Sequence, residues 1–285
     1  MLFRSPQDWV GFATQLRHQR NGGPSYLLGE VRKTGWTHYY LVAIAVKVPL
    51  AFWLIAVGRA WMGRRSPRED REWVLPVFIA AFLLLAMFGS KRNWGYRYVL
   101  PIETPAVVWA SAMAGGGRWS RRVAALGVAG MAFAVATIHP HELSYFNELG
   151  GGPIGGRKIL SDSNLDWGQG LKSLARLQRN RPELRDLSLF YFGTADPTCY
   201  GVEGRRTIFQ ADSPMPDLPP NLTVETRFLA VSASLQWGPW GPSGYFQRLD
   251  GVEPVAYTDD RTIAIYRAAD LKRAGSSAKS PPLQE

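Results

Sequence analysis

Between residues 41 and 138 the chain carries four apolar runs separated by charged loops, and runs of that length need either a large protein core or a lipid phase. Leu41 to Val57 is apolar apart from Lys47, with Trp36, Tyr39, Tyr40 and Trp61 around it as interfacial aromatics. Trp73 to Gly89 is the cleanest run, bounded by GRAWMGRRSPREDRE and SKRNW, while Val99 to Ala114 and Val123 to Ile138 are shorter. These predict spans near 41–57, 73–89, 99–114 and 123–138. The mean hydropathy of -0.13 averages this apolar half with residues 139–285, which hold most of the acids and prolines.

The fold class that follows is an α-helical membrane region of about four transmembrane helices, followed by a small α/β extracytoplasmic domain. Residues 1–37 read as an interfacial amphipathic helix and outward loop, because Trp9, Phe12, Ala13 and Leu16 recur at helical spacing before Asn21-Gly22. The same helix packed on another part of the protein is the alternative. Residues 38–138 form the membrane region and 139–270 the joint and soluble domain. In that domain Asp166 and Gln169 have the spacing of a capping box, and Leu171, Leu174 and Ala175 give the following helix an apolar side. Strands are predicted at Leu187–Phe192, Phe228–Ser232, Pro254–Tyr257 and Thr262–Tyr266, and a disordered tail over 271–285.

The net charge of +10 would suit nucleic acid if it lay on one soluble face. Here the basic residues flank apolar runs, so membrane phosphates are the expected partner and nucleic acid is not. Arg59, Arg64, Arg65, Arg68 and Arg71 between the first two runs, and Arg118, Arg121 and Arg122 between the last two, assign both loops to the cytoplasm. The 90–98 loop and residues 139–285 then face outward, in a multi-pass protein of the cell (inner) membrane. This orientation starts the first span outside with no signal segment before it, as expected for the C-terminal part of a longer membrane protein. A lone Cys199 excludes an internal disulfide framework and a cysteine zinc site.

The joint from His139 to Leu171 is dense in polar groups: His139, His141, Glu142, Tyr145, Asn147, Glu148, Asp162, Asn164, Asp166 and Trp167. Its glycines allow close backbone approach to a partner, or simply a tight hydrogen-bonded connector. Asp162, Asn164 and Asp166 imitate the odd positions of a calcium loop, but Trp167 stands at position six and Ser173 at twelve. GGGPIGGRK lacks the ending of a P-loop, and the spacing of His139 and His141 fits no common metal site; no metal and no cofactor is expected.

The loop SKRNWGYRYVLPI sets Lys91, Arg92 and Arg97 among Trp94, Tyr96 and Tyr98. A guanidinium grips phosphate through a fixed fork of donors, so this boundary loop is a candidate site for a lipid-linked phosphate, or an anchor to headgroups. Lys47 and Glu103 are charges inside apolar runs, where each costs about 3 kcal/mol near a helix centre. Both should face protein or a wet cavity, and Glu103 is placed to pair with Arg97 or Lys47.

YFNELGGGPIGG followed by LSDSNLDWGQGL resembles the segment after the last membrane helix in bacterial relatives of the dolichyl-phosphate-mannose protein mannosyltransferases, glycosyltransferase family thirty-nine-like enzymes of the GT-C class. SYLLGEVRKTGWTHYYLVAIAVKVPL, YRYVLPI and FYFGTADPTCYGV resemble the same family in the same order. The resemblance implies transfer of a sugar from a polyprenyl-phosphate-linked donor on the outer face of the membrane to an acceptor that the sequence does not identify. It puts Arg97 and Tyr98 near the donor phosphate, with Tyr96 where a histidine is commoner. The family's catalytic acid lies in an upstream outward loop that matches nothing here. No catalytic residue is therefore assigned, and inactivity of the chain alone is expected. The alternative is a noncatalytic membrane-anchored protein that binds glycan or a partner subunit.

Overall fold

A computed structural model describes residues 6–63, 73–210, 214–242 and 244–275. The chain divides into two compact units, Met1–Asn164 and Leu165–Glu285.

The first unit opens with helix α1 (Pro6–Asn21), whose Trp9, Val10, Phe12 and Leu16 are exposed. A two-stranded hairpin follows, β1 (Ser25–Leu27) against β2 (Glu30–Arg32), turned by Leu28 and Gly29. Both turn residues have positive φ, the requirement of a tight hairpin turn that matches strand twist. Helix α2 (Tyr39–Lys47) then stops at Val48, whose extended backbone is what the following Pro49 demands, and α3 (Leu50–Gly63) starts in a new direction. The two are bent by 108°. Helix α4 (Val74–Gly89) leads into a 3-10 segment, Tyr96–Ile102, that contains Pro101; α5 (Glu103–Ser111) and α6 (Arg118–Ile138) follow. Short turns and the five-residue α7 (Gly152–Gly156) complete the unit.

Close packing of α3 on α6 depends on small residues. A Cβ on Gly127 would sit 2.3 Å from Ile55, and one on Gly130 2.7 Å from the Ala51 methyl. Ile55, Ala110 and Met113 form the buried centre of this part, with Phe52, Trp109 and Val123 around them.

The second unit begins with a glycine-containing loop and helix α8 (Leu171–Asn180), then β3 (Leu187–Phe192), β4 (Arg205–Phe209), β5 (Phe228–Ser232), the short α9 (Ala233–Gln236), β6 (Ala256–Tyr257), β7 (Ile263–Arg267) and α10 (Ala268–Gly275). The sheet order is β4-β3-β5-β7-β6, with β3 parallel to β4 and β5, and β7 antiparallel to β5 and β6. Alternation along β3 sends Leu187, Leu189 and Tyr191 to one face, where Leu171, Leu174 and Ala175 of α8 cover them. Phe190 and Phe192 go to the other face, against Leu229, Val231, Leu235 and Phe246. Both faces are dry, which is why the central strands read as continuous apolar runs.

The four-helix membrane region expected from the apolar runs is not formed. The fold is mixed α/β, with ten α-helices and a five-stranded sheet among the described residues. One helix among those residues, Arg118–Ile138, is long and apolar enough to cross a membrane by length and composition, or two if the bent pair Tyr39–Lys47 and Leu50–Met62 counts as one span. The run at 41–57 fails as a single helix because Pro49 breaks it. The run at 73–89 gives 16 residues, about 24 Å of helix against a hydrocarbon core of roughly 30 Å. The run at 99–114 breaks into a 3-10 segment with Pro101, the nine-residue α5 and a further 3-10 turn. Arg59, assigned to a loop, is buried in α3 with its guanidinium 5.8 Å from the Trp109 ring centre. Arg64, Arg65, Arg68 and Arg71 lie outside the described residues, as do 276–285 of the predicted tail, whereas Leu271 to Gly275 are helical.

Candidate functional site

The break between α2 and α3 is a polar hub of the first unit. Lys47 ends α2 instead of sitting mid-span, and its ammonium donates to the backbone carbonyls of Leu143 (2.9 Å), Tyr145 (2.6 Å) and Asn164 (2.7 Å). Its Nζ also lies 4.4 Å from the Phe146 ring centre. Three carbonyl dipoles and a ring face thus surround the Lys47 Nζ. Asn147 completes the lock: its amide donates to Ala45 O and Val48 O, and its backbone N–H to Val46 O. Those carbonyls are ones that the end of α2 leaves without helical partners, so Asn147 satisfies them from 99 to 102 residues away.

Asn164 ties the same hub to the basic loop. Its side chain donates to Tyr39 Oη (2.9 Å) and Ser161 O (3.0 Å), and accepts from the Tyr96 N–H (2.8 Å). Ser163 Oγ donates to Trp94 O, and Gly95 between them has φ +108° with no room for a Cβ beside Ser163. On the other side of the loop, Lys91 N–H donates to Gln19 O and Trp94 Nε1 to Pro24 O. Arg92 is consumed structurally: Nε donates to Gly22 O (3.2 Å) and the guanidinium stacks 3.7 Å from the Trp94 ring centre. Lys91 and Arg97 are exposed, and Arg97 lies 5.3 Å from the half-buried Tyr98 ring. Glu103 is the exposed first residue of α5, where the helix dipole favours a carboxylate, and burial together with Glu103 pushes the Tyr96 hydroxyl above its ordinary range.

The remaining joint residues separate. His139 Nδ1 pairs with Glu142 Oε1 at 2.6 Å on the surface; Glu142's own N–H and then His139 hold that carboxyl below its ordinary range. His141 is half-buried and its N–H donates to Ile138 O. The Tyr145 hydroxyl is buried without a hydrogen-bond partner. Exposed Glu148 starts a 3-10 turn that Asn147 caps through Gly150 N–H, and half-buried Asp162, at φ +56°, starts another.

Asp166 and Trp167 belong to the second unit, so the calcium-like trio is divided at Asn164. Among the described residues no three His, Cys, Asp or Glu side chains gather as metal ligands. The predicted capping box is replaced by a tighter loop. Asp166 Oδ1 accepts from Gly168 N–H (2.9 Å) and Oδ2 from Ser234 N–H (3.3 Å), while Gln169 Oε1 accepts from Trp167 N–H and its Nε2 donates to Leu165 O. Helix α8 starts only at Leu171, with Gly170 at its N-cap. Burial pushes the Asp166 carboxyl up to about 7, with the Asp260 charge adding to it against the two N–H bonds. Asp260 is itself buried, accepts from Thr262 Oγ1 (2.7 Å), and leaves Oδ1 without a partner.

Tyr191 was not singled out in the sequence, yet its hydroxyl donates to Gly168 O at 2.7 Å. Gly168 has φ +79°, and a Cβ there would lie 2.4 Å from that hydroxyl. The signal was present as Trp167-Gly168-Gln169-Gly170, where two glycines interrupt a segment read as helical. The sequence hints therefore resolve into a lysine hub with a clamped basic loop in one unit, and two buried carboxyls, Asp166 and Asp260, at the base of the 166–170 loop in the other. No family model matches the chain, and no curated protein and no solved structure matches it.

Proposed function

We propose that this chain forms the donor-binding part of a membrane glycosyltransferase that takes a sugar from a polyprenyl-phosphate carrier on the outer face of the cell membrane. The observation that carries the reading is the exposure of Arg97 and Lys91 on a loop fixed from both sides, directly after a helix with an open apolar face. That helix, α4, has no buried residue, and Leu84, Leu85 and Phe88 near its end are exposed. Exposure continues on α6, where Leu126, Val128, Phe133 and Val135 face outward. A ligand with a long apolar tail and a phosphate head fits that combination, the tail along the apolar helix and the phosphate on a guanidinium.

The test is binding of a short-chain polyprenyl-phosphate sugar to purified protein in lipid nanodiscs. Arg97→Ala weakens binding about ten- to hundredfold, and Arg97→Lys recovers part of it because a point charge replaces a fork. Arg92→Ala lowers stability through Gly22 and Trp94 and changes donor affinity much less. Undiminished binding by Arg97→Ala refutes the assignment.

A noncatalytic binding protein is the second reading. It is favoured by the engagement of nearby carboxylates: Glu30 pairs with Arg32 and Glu142 with His139. Donor binding without transfer to any acceptor, in the assembled enzyme, would select it.

A further inference from the structure

We propose that a cleft beside strand β4 of the second unit binds one neutral hexopyranose ring of a glycan. This goes beyond the donor site of the first unit, since it needs neither sugar transfer nor a lipid carrier.

The cleft has a volume of about 260 Å³ and comes from a break in the pattern of the sheet. Along the face that packs on Phe246, β3 and β4 set Ser188 beside Arg205, Phe190 beside Thr207 and Phe192 beside Phe209. The three phenylalanines are buried in the core of that face. Ser188, Arg205 and Thr207 stand where the same alternation calls for apolar side chains, and inward polar residues cost stability unless they serve something else. Ser188 and Thr207 are also small, which leaves this corner unfilled.

The opposite wall is the segment 219–225, and it is fixed before any ligand arrives. Tyr245 Oη donates to Pro219 O (2.6 Å), Thr223 N–H donates to Pro220 O (3.0 Å), and Leu222 is buried in the core. Pro219 and Val224 give this wall apolar surface, while Thr223 and Glu225 give it polar groups. A wall held in this way loses little freedom when a ligand settles against it.

Hydrogen-bond capacity selects the ligand. Arg205 and Glu225 form an exposed ion pair at the cleft, so cationic donors and an anionic acceptor stand side by side. Thr226 gives its one hydroxyl proton to Phe228 O (2.9 Å), so the Ser188 hydroxyl, 2.9 Å from it, donates to Thr226 and offers the cleft only its lone pairs. An anion would have to displace Glu225 from Arg205, and would meet an acceptor at Ser188 where it needs a donor. A cation would have to take Glu225 away from Arg205 and lie beside the guanidinium. A sugar meets both members of the pair without separating them: one hydroxyl accepts from the guanidinium, its neighbour donates to the carboxylate, and another donates to Ser188. The C–H face of the ring then suits Pro219 and Val224.

The experiment titrates the full chain, purified in a detergent without a sugar headgroup, with the methyl α-pyranosides of mannose, glucose and galactose, read by saturation-transfer NMR. At least one binds with a Kd on the order of millimolar. Glu225→Gln removes the charged acceptor and weakens it about tenfold; Thr207→Val keeps the side-chain volume, loses the hydroxyl and weakens it about threefold. Arg176→Gln, which breaks an exposed ion pair with Asp259 outside the cleft, binds as wild type does. The proposal is overturned if none of the three pyranosides binds wild-type protein, if either cleft variant retains wild-type affinity, or if Arg176→Gln loses as much as Glu225→Gln. It is overturned equally if inorganic phosphate or glycine binds the cleft more tightly than every pyranoside, since the occupant would then be an anion or a zwitterion.

Discussion

The ammonium of Lys47 donates to the backbone carbonyl of Asn164 at 2.7 Å, across 117 residues of chain. Two further carbonyls complete its shell, so this side chain ties the helix break to the joint. Lys47→Met removes every donor and leaves three carbonyls facing a thioether. The expected loss is about 2 to 4 kcal/mol of first-unit stability. Denaturant titration followed by a probe in that unit measures it, and a loss below about 0.5 kcal/mol would make the hub ornamental.

Asn147→Leu tests the same closure from the opposite side. Leucine approximates the volume but offers Ala45 O and Val48 O nothing, so a loss of about 2 kcal/mol follows. Because Lys47 and Asn147 serve one interface, the double variant loses less than the sum of the singles. Strict additivity in a double-mutant cycle would show that the two locks are independent.

Gly168→Ala places a methyl 2.4 Å from the Tyr191 hydroxyl in a backbone conformation that alanine rarely adopts. The variant loses about 2 to 3 kcal/mol, and adding Tyr191→Phe returns only the steric share. Thermal melts of the two variants separate the contributions; full recovery in the double variant would mean that the backbone conformation costs nothing.

The pH response of Asp166 has a definite sign. Burial raises its folded pKa to about 7, so the folded state binds the proton more tightly than the unfolded chain does. Its stabilising contribution is complete below the ordinary carboxylate pKa, near 4, and is lost as pH rises to about 7. The groups facing it are Asp260, Tyr191 and Ser234, and the Asp260 carboxyl beside it acts in the same direction as burial. Asp166→Asn therefore gains on wild type between pH 4 and pH 8, by roughly tenfold or more in folding equilibrium constant. Stability curves of the two proteins that run parallel across this range would exclude a buried proton at Asp166.

Local chemistry was legible where one residue dictates backbone shape or where both faces of a strand are dry. The strands at Leu187–Phe192 and Phe228–Ser232 have the bounds predicted for them, and those near 254–257 and 262–266 lie within two residues. Strand β4 was missed because Arg205 and Arg206 face water on an edge strand, which removes the apolar signal. The apolar runs misled more seriously. Hydropathy over a window does not register one proline at 49 or 101, yet Pro49 separates α2 from α3, and Pro101 sits in a 3-10 segment that delays the α-helix to Glu103. Among the candidate site residues, the basic loop and the joint were visible by type. Their connection through Asn164 was not, since hydrogen bonds across 68 and 125 residues leave no local pattern.

The reach of those hydrogen bonds also sets an order of assembly during synthesis. Tyr26 donates to Lys158 O and Leu28 N–H to Ile159 O, just as Lys47 waits for Asn164. A ribosome that has made α2 must add 117 residues before the last acceptor of Lys47 exists, roughly 6 to 23 s at 5–20 residues per second. During that interval the apolar helices α3 to α6 are made one after another without the segment that closes them, so the nascent chain is most exposed to aggregation or to capture by a membrane or chaperone shortly before residue 164 emerges.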